Sequence, residues 1–165
     1  MTNLSHPEIQ EAVRRALAED VGSGDITSNL CVPADAQATG RMFTRQSLTL
    51  AGIELLPLIF TDCKVSLHHN SGARLDSATE IALVAGPARS LLTGERTALN
   101  FVQRLSGIAT LASAYVAAVE GTGCKILDTR KTTPGLRRLE KMAVAAGGAV
   151  NHRMGLYDAV VVTRT

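Results

Sequence analysis

The stretch Asp128-Thr129-Arg130-Lys131-Thr132-Thr133-Pro134-Gly135 decides how this chain is read. Ahead of it, Lys125-Ile126-Leu127 is a short apolar run of the kind a buried strand makes. Behind it, Leu136 to Ala146 has helical spacing, with Leu136, Leu139, Met142 and Ala143 on one stripe. Pro134 suits the beginning of that helix, and Thr132 or Thr133 is the expected cap. Two adjacent cations thus stand where a strand ends and a helix begins. α/β folds collect ligands at that edge, and helix N-termini attract anions. An Arg-Lys pair alone is ordinarily a solvated loop, so its meaning depends on the rest of the chain.

Outward on the C-terminal side, Gly147-Gly148 closes the helix and Asn151-His152-Arg153 follows. Asp158-Ala159-Val160-Val161-Val162 then reads as a second apolar, β-branched strand. Strand, helix and strand in succession imply parallel pairing through a right-handed crossover. On the N-terminal side, Pro87-Ala88-Arg89 opens a long helical pattern with Leu91, Leu92, Leu99, Val102 and Leu105 on an apolar stripe. Arg96 falls between Leu92 and Leu99 on that stripe. The spacing predicts that it points inward, where it needs a carboxylate or an anionic ligand. Ser106-Gly107 is expected to break the pattern, leaving Ile108 to Val119 as a second helix ended by Gly121 and Gly123. Arg96, Arg130, Lys131, His152 and Arg153 are therefore five candidate cations, and four of them lie in loops flanking the two strands.

The remainder reads as a small mixed α/β layer. His6 to Glu19 is an amphipathic helix with Ile9, Val13, Ala16 and Leu17 on one face, Ser5 as the expected cap and Pro7 at its first position. Glu19 to Ser28 is a turn whose Asp25 or Thr27 caps the next helical turn. Gly40 to Ala51 reads as a strand, Glu54 to Phe60 as a short helix, and Lys64 to His69 and Ile81 to Gly86 as two further strands. His68 and His69 point to opposite faces of theirs and cannot readily share one metal.

Charge is unevenly spread over the 165 residues. Residues 1–95 hold 7 Lys/Arg against 11 Asp/Glu, and residues 96–165 hold 10 against 4, so the second part is where an anionic partner belongs. Aromatics make up only 3%, which argues against stacking on single-stranded nucleic acid and in favour of a small polyanion. No apolar run reaches membrane-spanning length, so no membrane partner is expected. Cys31, Cys63 and Cys124 are dispersed and odd in number, as expected in a reducing cytoplasm.

Several motifs in order carry a family likeness. Gly94-Glu95-Arg96-Thr97-Ala98-Leu99-Asn100, Leu105-Ser106-Gly107-Ile108-Ala109-Thr110, Asp128-Thr129-Arg130-Lys131-Thr132, Pro134-Gly135-Leu136-Arg137 and Asn151-His152-Arg153 resemble the quinolinate phosphoribosyltransferase family. Glu19-Asp20 to Thr27 and Ala85 to Arg89 are similar to its N-terminal part, so the likeness runs from about Ala16 to Val162. The resemblance implies an α/β fold, with an N-terminal α/β sandwich over residues 1–105 and the first part of an α/β barrel over 106–165. It implies condensation of quinolinate with phosphoribosyl pyrophosphate, with Mg²⁺, to give nicotinate mononucleotide, pyrophosphate and carbon dioxide. It further implies a homodimer or higher oligomer with shared sites, in which Arg96 reaches quinolinate in the neighbouring subunit. Arg130, His152 and Arg153 would contact the same substrate, and Lys131 the phosphoribosyl pyrophosphate. A molybdenum-associated paralogue of the same fold and a non-catalytic assembly fragment are the alternatives.

The likeness stops at Thr163-Arg164-Thr165. The family continues there with Lys-Asp-Asn-His, so Thr163 occupies the place of a lysine belonging to the quinolinate pocket. The later barrel strands, with the acidic residues that handle ribose and metal, have no counterpart here. The expectation is a truncated barrel, inactive alone, since two strands cannot close one.

Overall fold

A computed structural model describes residues 4–162. The first helix, α1 (Pro7–Val21), buries Ile9 and Val13 and packs Ala16 and Leu17 beside them, as the periodicity predicts. Its cap is His6, not Ser5: the imidazole Nδ1 accepts the Glu8 amide at 3.2 Å, with Pro7 at the first position. The short α2 (Ile26–Cys31) begins at Asp25, whose carboxylate accepts the Ser28 amide at 2.9 Å.

The expected strand from Gly40 to Ala51 is two strands. β1 (Gln37–Phe43) starts earlier and β2 (Leu48–Thr49) is separate, because Thr44 turns the chain by bonding through its hydroxyl to the Asp76 carbonyl. A single 3₁₀ turn at Ile53–Leu55 leads into α3 (Leu56–Ile59), followed by β3 (Lys64–Leu67), β4 (Arg74–Leu75) and β5 (Glu80–Pro87). β5 lies between β1 and β3, antiparallel to both, with Gln37 opposite Pro87 and Lys64 opposite Ala85. β2 pairs with β4 in a separate ribbon.

Helix α4 (Ala88–Ala118) runs 31 residues without a break, so Ser106-Gly107 does not end it. Ser106 is a tie point instead. Its Oγ accepts the Ala51 amide at 3.0 Å, and one turn later Thr110 Oγ1 accepts the Thr49 amide at 2.9 Å. One interior glycine costs about 1 kcal/mol of helix propensity, less than Leu105 and Ala109 gain by burial on either side. The helix thus passes through residues 105 and 106, where the two domains were expected to meet.

The face that α4 buries also differs from the leucine stripe. Gly94, Thr97, Ala98, Phe101, Val102 and Leu105 are inward, while Leu92 is 48% exposed. The small residues set this orientation. A Cβ on Gly94 would come within 2.5 Å of the Phe60 ring, so the helix can lie flat on Phe60 only where the side chain is missing. Arg96, two residues on, is consequently exposed, which corrects the expectation that it points inward.

After α4 the chain makes its second layer. Residues 125–127 form no strand; Leu127 makes an isolated parallel bridge with Val150, through Val150 N–H to Ile126 O and Asp128 N–H to Val150 O. The parallel partner is therefore the segment ahead of Asn151, not Asp158–Val162, which has no ladder and leaves Val160 and Val162 about nine-tenths exposed. Residues 154–159 close on themselves: Asp158 accepts the Met154 and Gly155 amides, and Arg153 donates to the Ala159 carbonyl. Between them α5 (Arg137–Ala146) buries Leu139 and Ala143 against the core. Its cap position is Leu136, with no side-chain bond, so neither Thr132 nor Thr133 caps it. The α/β class holds, with a sheet domain followed by the opening of a parallel layer. No helix among the described residues is long and apolar enough to cross a membrane. The departure beginning at Thr163 lies outside the described residues.

Candidate functional site

The basic turn after Leu127 is held from below by a buried ion pair. Lys141, on α5, is 1% exposed and places Nζ 2.5 Å from Asp128 Oδ1; the Asp128 side chain is 5% exposed. The same Nζ donates to the His152 carbonyl at 2.8 Å, while the His152 amide donates to Asp128 Oδ1 at 2.7 Å. The Asn151 amide, turned to suit its two acceptors, donates to Asp128 Oδ2 and to the Lys141 carbonyl. The His152 backbone is thus gripped on both sides of its Cα, at its N–H and at its C=O.

Arg137 makes a second clamp at the other end of these loops. Its guanidinium donates to Thr132 Oγ1 at 3.1 Å and the Met154 carbonyl at 3.2 Å, with the Arg130 carbonyl at 3.5 Å. Glu140 adds a third support. One carboxylate oxygen accepts the Thr133 amide at 3.1 Å, the other accepts from Arg104 on α4, and Arg104 also donates to Thr133 Oγ1. Burial pushes the Glu140 carboxyl up, but the Arg104 and Thr133 bonds outweigh it and hold it below the ordinary value.

Within this frame the predicted cations are placed as follows. Arg130 is half-buried, and its Nε is the buried side-chain atom without a hydrogen-bond partner among the described residues. Lys131 is exposed, and among the described residues it is anchored only by its amide on Thr129 Oγ1. His152 is exposed and uses Nδ1 to accept the Arg153 amide at 2.7 Å. Arg153 donates to the Ala159 carbonyl at 2.9 Å. The loops of Arg130 and Lys131 and of His152 and Arg153 are therefore brought side by side. Among the described residues Arg96 shares no hydrogen bond or ion pair with those loops: it stands eight residues, about 12 Å of helix, before Arg104, which reaches Thr133.

Sequence reasoning missed Asp128, Lys141, Arg137, Glu140 and Asn151 as supports. A signal was present in the four acids of the basic half, three of which (Asp128, Glu140 and Asp158) anchor loops here. Two cavities of about 470 and 490 Å³ lie elsewhere, at the end of α4 and between α1 and α4, and none of the five cations lines either. Among the described residues no group of three or more His, Cys, Asp or Glu side chains could hold a metal.

The chain is similar to known proteins over nearly all of its length. The family model for the quinolinate phosphoribosyl transferase N-terminal domain matches residues 25–106, and the model for its C-terminal domain matches 108–165. The chain is 46% identical over 160 residues to a nicotinate-nucleotide pyrophosphorylase [carboxylating] of Mycobacterium leprae, covering 93% of this chain and 56% of that protein. It is 39% identical to a probable enzyme of the same name from Bacillus subtilis, over 96% and 56% of the two. The crystal structure of NadC from Streptococcus pyogenes superposes with a TM-score of 0.92 at 40% identity, covering 97% of this chain and 58% of that one. The chain spans somewhat more than half the length of these relatives.

Proposed function

The chain belongs to the quinolinate phosphoribosyltransferase family, and from that membership we propose that it carries the cationic substrate-binding part of a carboxylating nicotinate-nucleotide pyrophosphorylase. In this reading quinolinate condenses with phosphoribosyl pyrophosphate, releasing pyrophosphate and carbon dioxide and leaving nicotinate mononucleotide. The observation that carries it is the Arg130 guanidinium, whose Nε is buried without a hydrogen-bond partner among the described residues, on a turn that Arg137 ties to the Met154 carbonyl. A desolvated guanidinium nitrogen is costly unless an acceptor arrives, and a carboxylate matches its fork.

The chemistry asks for fixed cations more than for a nucleophile. Quinolinate brings two carboxylates and the co-substrate several phosphate charges, so Arg130, His152 and Arg153 bind the dicarboxylate while Lys131 meets the phosphoribosyl pyrophosphate. The pyridine nitrogen attacks the ribose carbon as the bond to pyrophosphate breaks. Loss of carbon dioxide from the ring carboxylate then leaves an electron pair that takes up a proton. Prearranged cations favour the first step by stabilising the departing diphosphate. Mg²⁺, in this reading, would be carried on the diphosphate and would help to neutralise its charge.

The exposure of Arg96 fits delivery to a second copy of the chain, in a homodimer or higher oligomer of the cytoplasm. The domain junction near residue 105 then lies inside α4. Titration of the chain with quinolinate in a calorimeter tests the reading. Saturable binding that is abolished by Arg130→Ala is expected; no heat at millimolar quinolinate overturns it. Because the chain is shorter than its relatives, turnover is not the readout.

A further inference from the structure

We propose that Lys141 is a positioning residue of the dicarboxylate site. Acting through Asp128 and the His152 backbone, it sets the separation between the loop bearing Arg130 and the loop bearing His152 and Arg153. The inference rests on the substrate reading above and deepens it.

The argument begins with cost. An ammonium group at 1% exposure is tolerated only with full pairing, and a buried ion pair is seldom more stabilising than two apolar side chains of the same volume. Stability alone therefore does not account for Lys141. What the pair does that apolar residues cannot is close a ring: Lys141 Nζ to Asp128 Oδ1, Asp128 Oδ1 to the His152 amide, and the His152 carbonyl back to Lys141 Nζ. Three segments meet there: the end of the first parallel segment, helix α5, and the loop after the second. Asn151 adds a further bond to the other Asp128 oxygen.

Asp128 lies two residues before Arg130, and the gripped backbone belongs to His152 itself and precedes Arg153. The ring thus fixes the relative height of the two cationic loops at one end. Arg137 fixes them at the other through Arg130, Thr132 and Met154. Two carboxylates on neighbouring ring carbons stand at a rigid spacing, so cations that bind both together must be spaced to match. Misplacement by about 1 Å forfeits most of the gain from prearrangement. A ligand with one carboxylate does not sense that spacing.

The test compares pyridine-2,3-dicarboxylate with pyridine-3-carboxylate, titrated into the chain as it stands, alongside amide hydrogen exchange at His152. Lys141→Met keeps the volume and removes the ammonium. Should it fail to fold, D128N/K141M removes both charges and still offers the His152 amide an acceptor. The proposal expects the folded variant to lose about tenfold or more of its preference for the dicarboxylate, with faster exchange at His152. A purely structural Lys141 would lower the melting temperature while folded molecules kept the full preference and the His152 protection; that result overturns the proposal. If the unaltered chain binds no dicarboxylate, the substrate reading falls, and exchange alone decides the positioning. Unchanged protection at His152 in Lys141→Met then overturns it, and lost protection supports it.

Discussion

Glu140 on α5 and Arg104 on α4 join the two helices through a 2.5 Å ion pair, and the second Glu140 oxygen takes the Thr133 amide. One carboxylate thus locks the turn that follows the Arg-Lys pair onto the longest helix. Its side chain is 12% exposed and that of Arg104 47%, so the loss of one partner leaves an acid in a poorly hydrated place only on the α5 side.

Glu140→Gln is expected to destabilise the chain at neutral pH by about 1.5–3 kcal/mol, the range for bonds to a charged group. The folded carboxyl ionises at lower pH than the ordinary 4.5, because the Arg104 and Thr133 bonds overcome the upward push of burial. Its contribution is therefore complete above that ordinary value and is lost as pH falls through the lower folded value. Urea midpoints for the two proteins should converge under acid; a gap that is constant from neutral pH to below the folded value counts against the bond.

Two glycines, one inside α4 and one at the end of α5, should answer oppositely to alanine. A Cβ at Gly147 would stand 2.4 Å from the Ala109 carbonyl oxygen and 2.7 Å from Ala112 Cβ, so Gly147→Ala forces α5 off α4 and costs roughly 1–3 kcal/mol. Gly107, inside α4 and exposed, has nothing within 4 Å, and Gly107→Ala should stabilise by about 0.5–1 kcal/mol. Chemical denaturation of both settles the sign at each position.

Cysteine labelling should separate the three thiols. Burial, with the Asp62 carboxylate as neighbour and acceptor, pushes Cys63 up to about 11, so at pH 8 only about one thiol in a thousand is ionised. Cys31 and Cys124 are exposed. Mass spectrometry after brief iodoacetamide treatment should find Cys63 modified last. Equal rates at all three would contradict the packing of Cys63 against Gly86.

Arg96→Ala should leave the stability of the isolated chain within about 0.5 kcal/mol, as expected for an exposed side chain without partners among the described residues. An effect of several kcal/mol would mean that Arg96 serves its own fold. That would remove the basis for its use by a second copy.

Much of the layout was legible in the residues. The amphipathic pattern of α1, the Asp25 cap, the short helix before Phe60, the paired strands and the stripe of α5 all follow from local periodicity and turn chemistry. The charge asymmetry and the motif order pointed to the family that the comparisons show. The errors share one cause, the reading of position from local pattern where a distant contact decides. Ser106-Gly107 looks like a stop until Ala51 and Thr49 arrive to use its hydroxyl and that of Thr110. Arg96 looks inward because large leucines mark the stripe, whereas Gly94 and Ala98 mark the face that meets Phe60. Asp158–Val162 has strand composition, but a strand is made by its neighbour, and Val150 holds that place.

By itself the sequence determined most of the helices and the strands of the sheet domain, the α/β class and the family, because these depend on side-chain chemistry and on separations of a few residues. Only the tertiary structure decided how the cations are held: which acid faces Lys141, why the His152 backbone cannot shift against Asp128, and which face of α4 is buried. These are contacts between groups 13 to 61 residues apart, and no local periodicity encodes them.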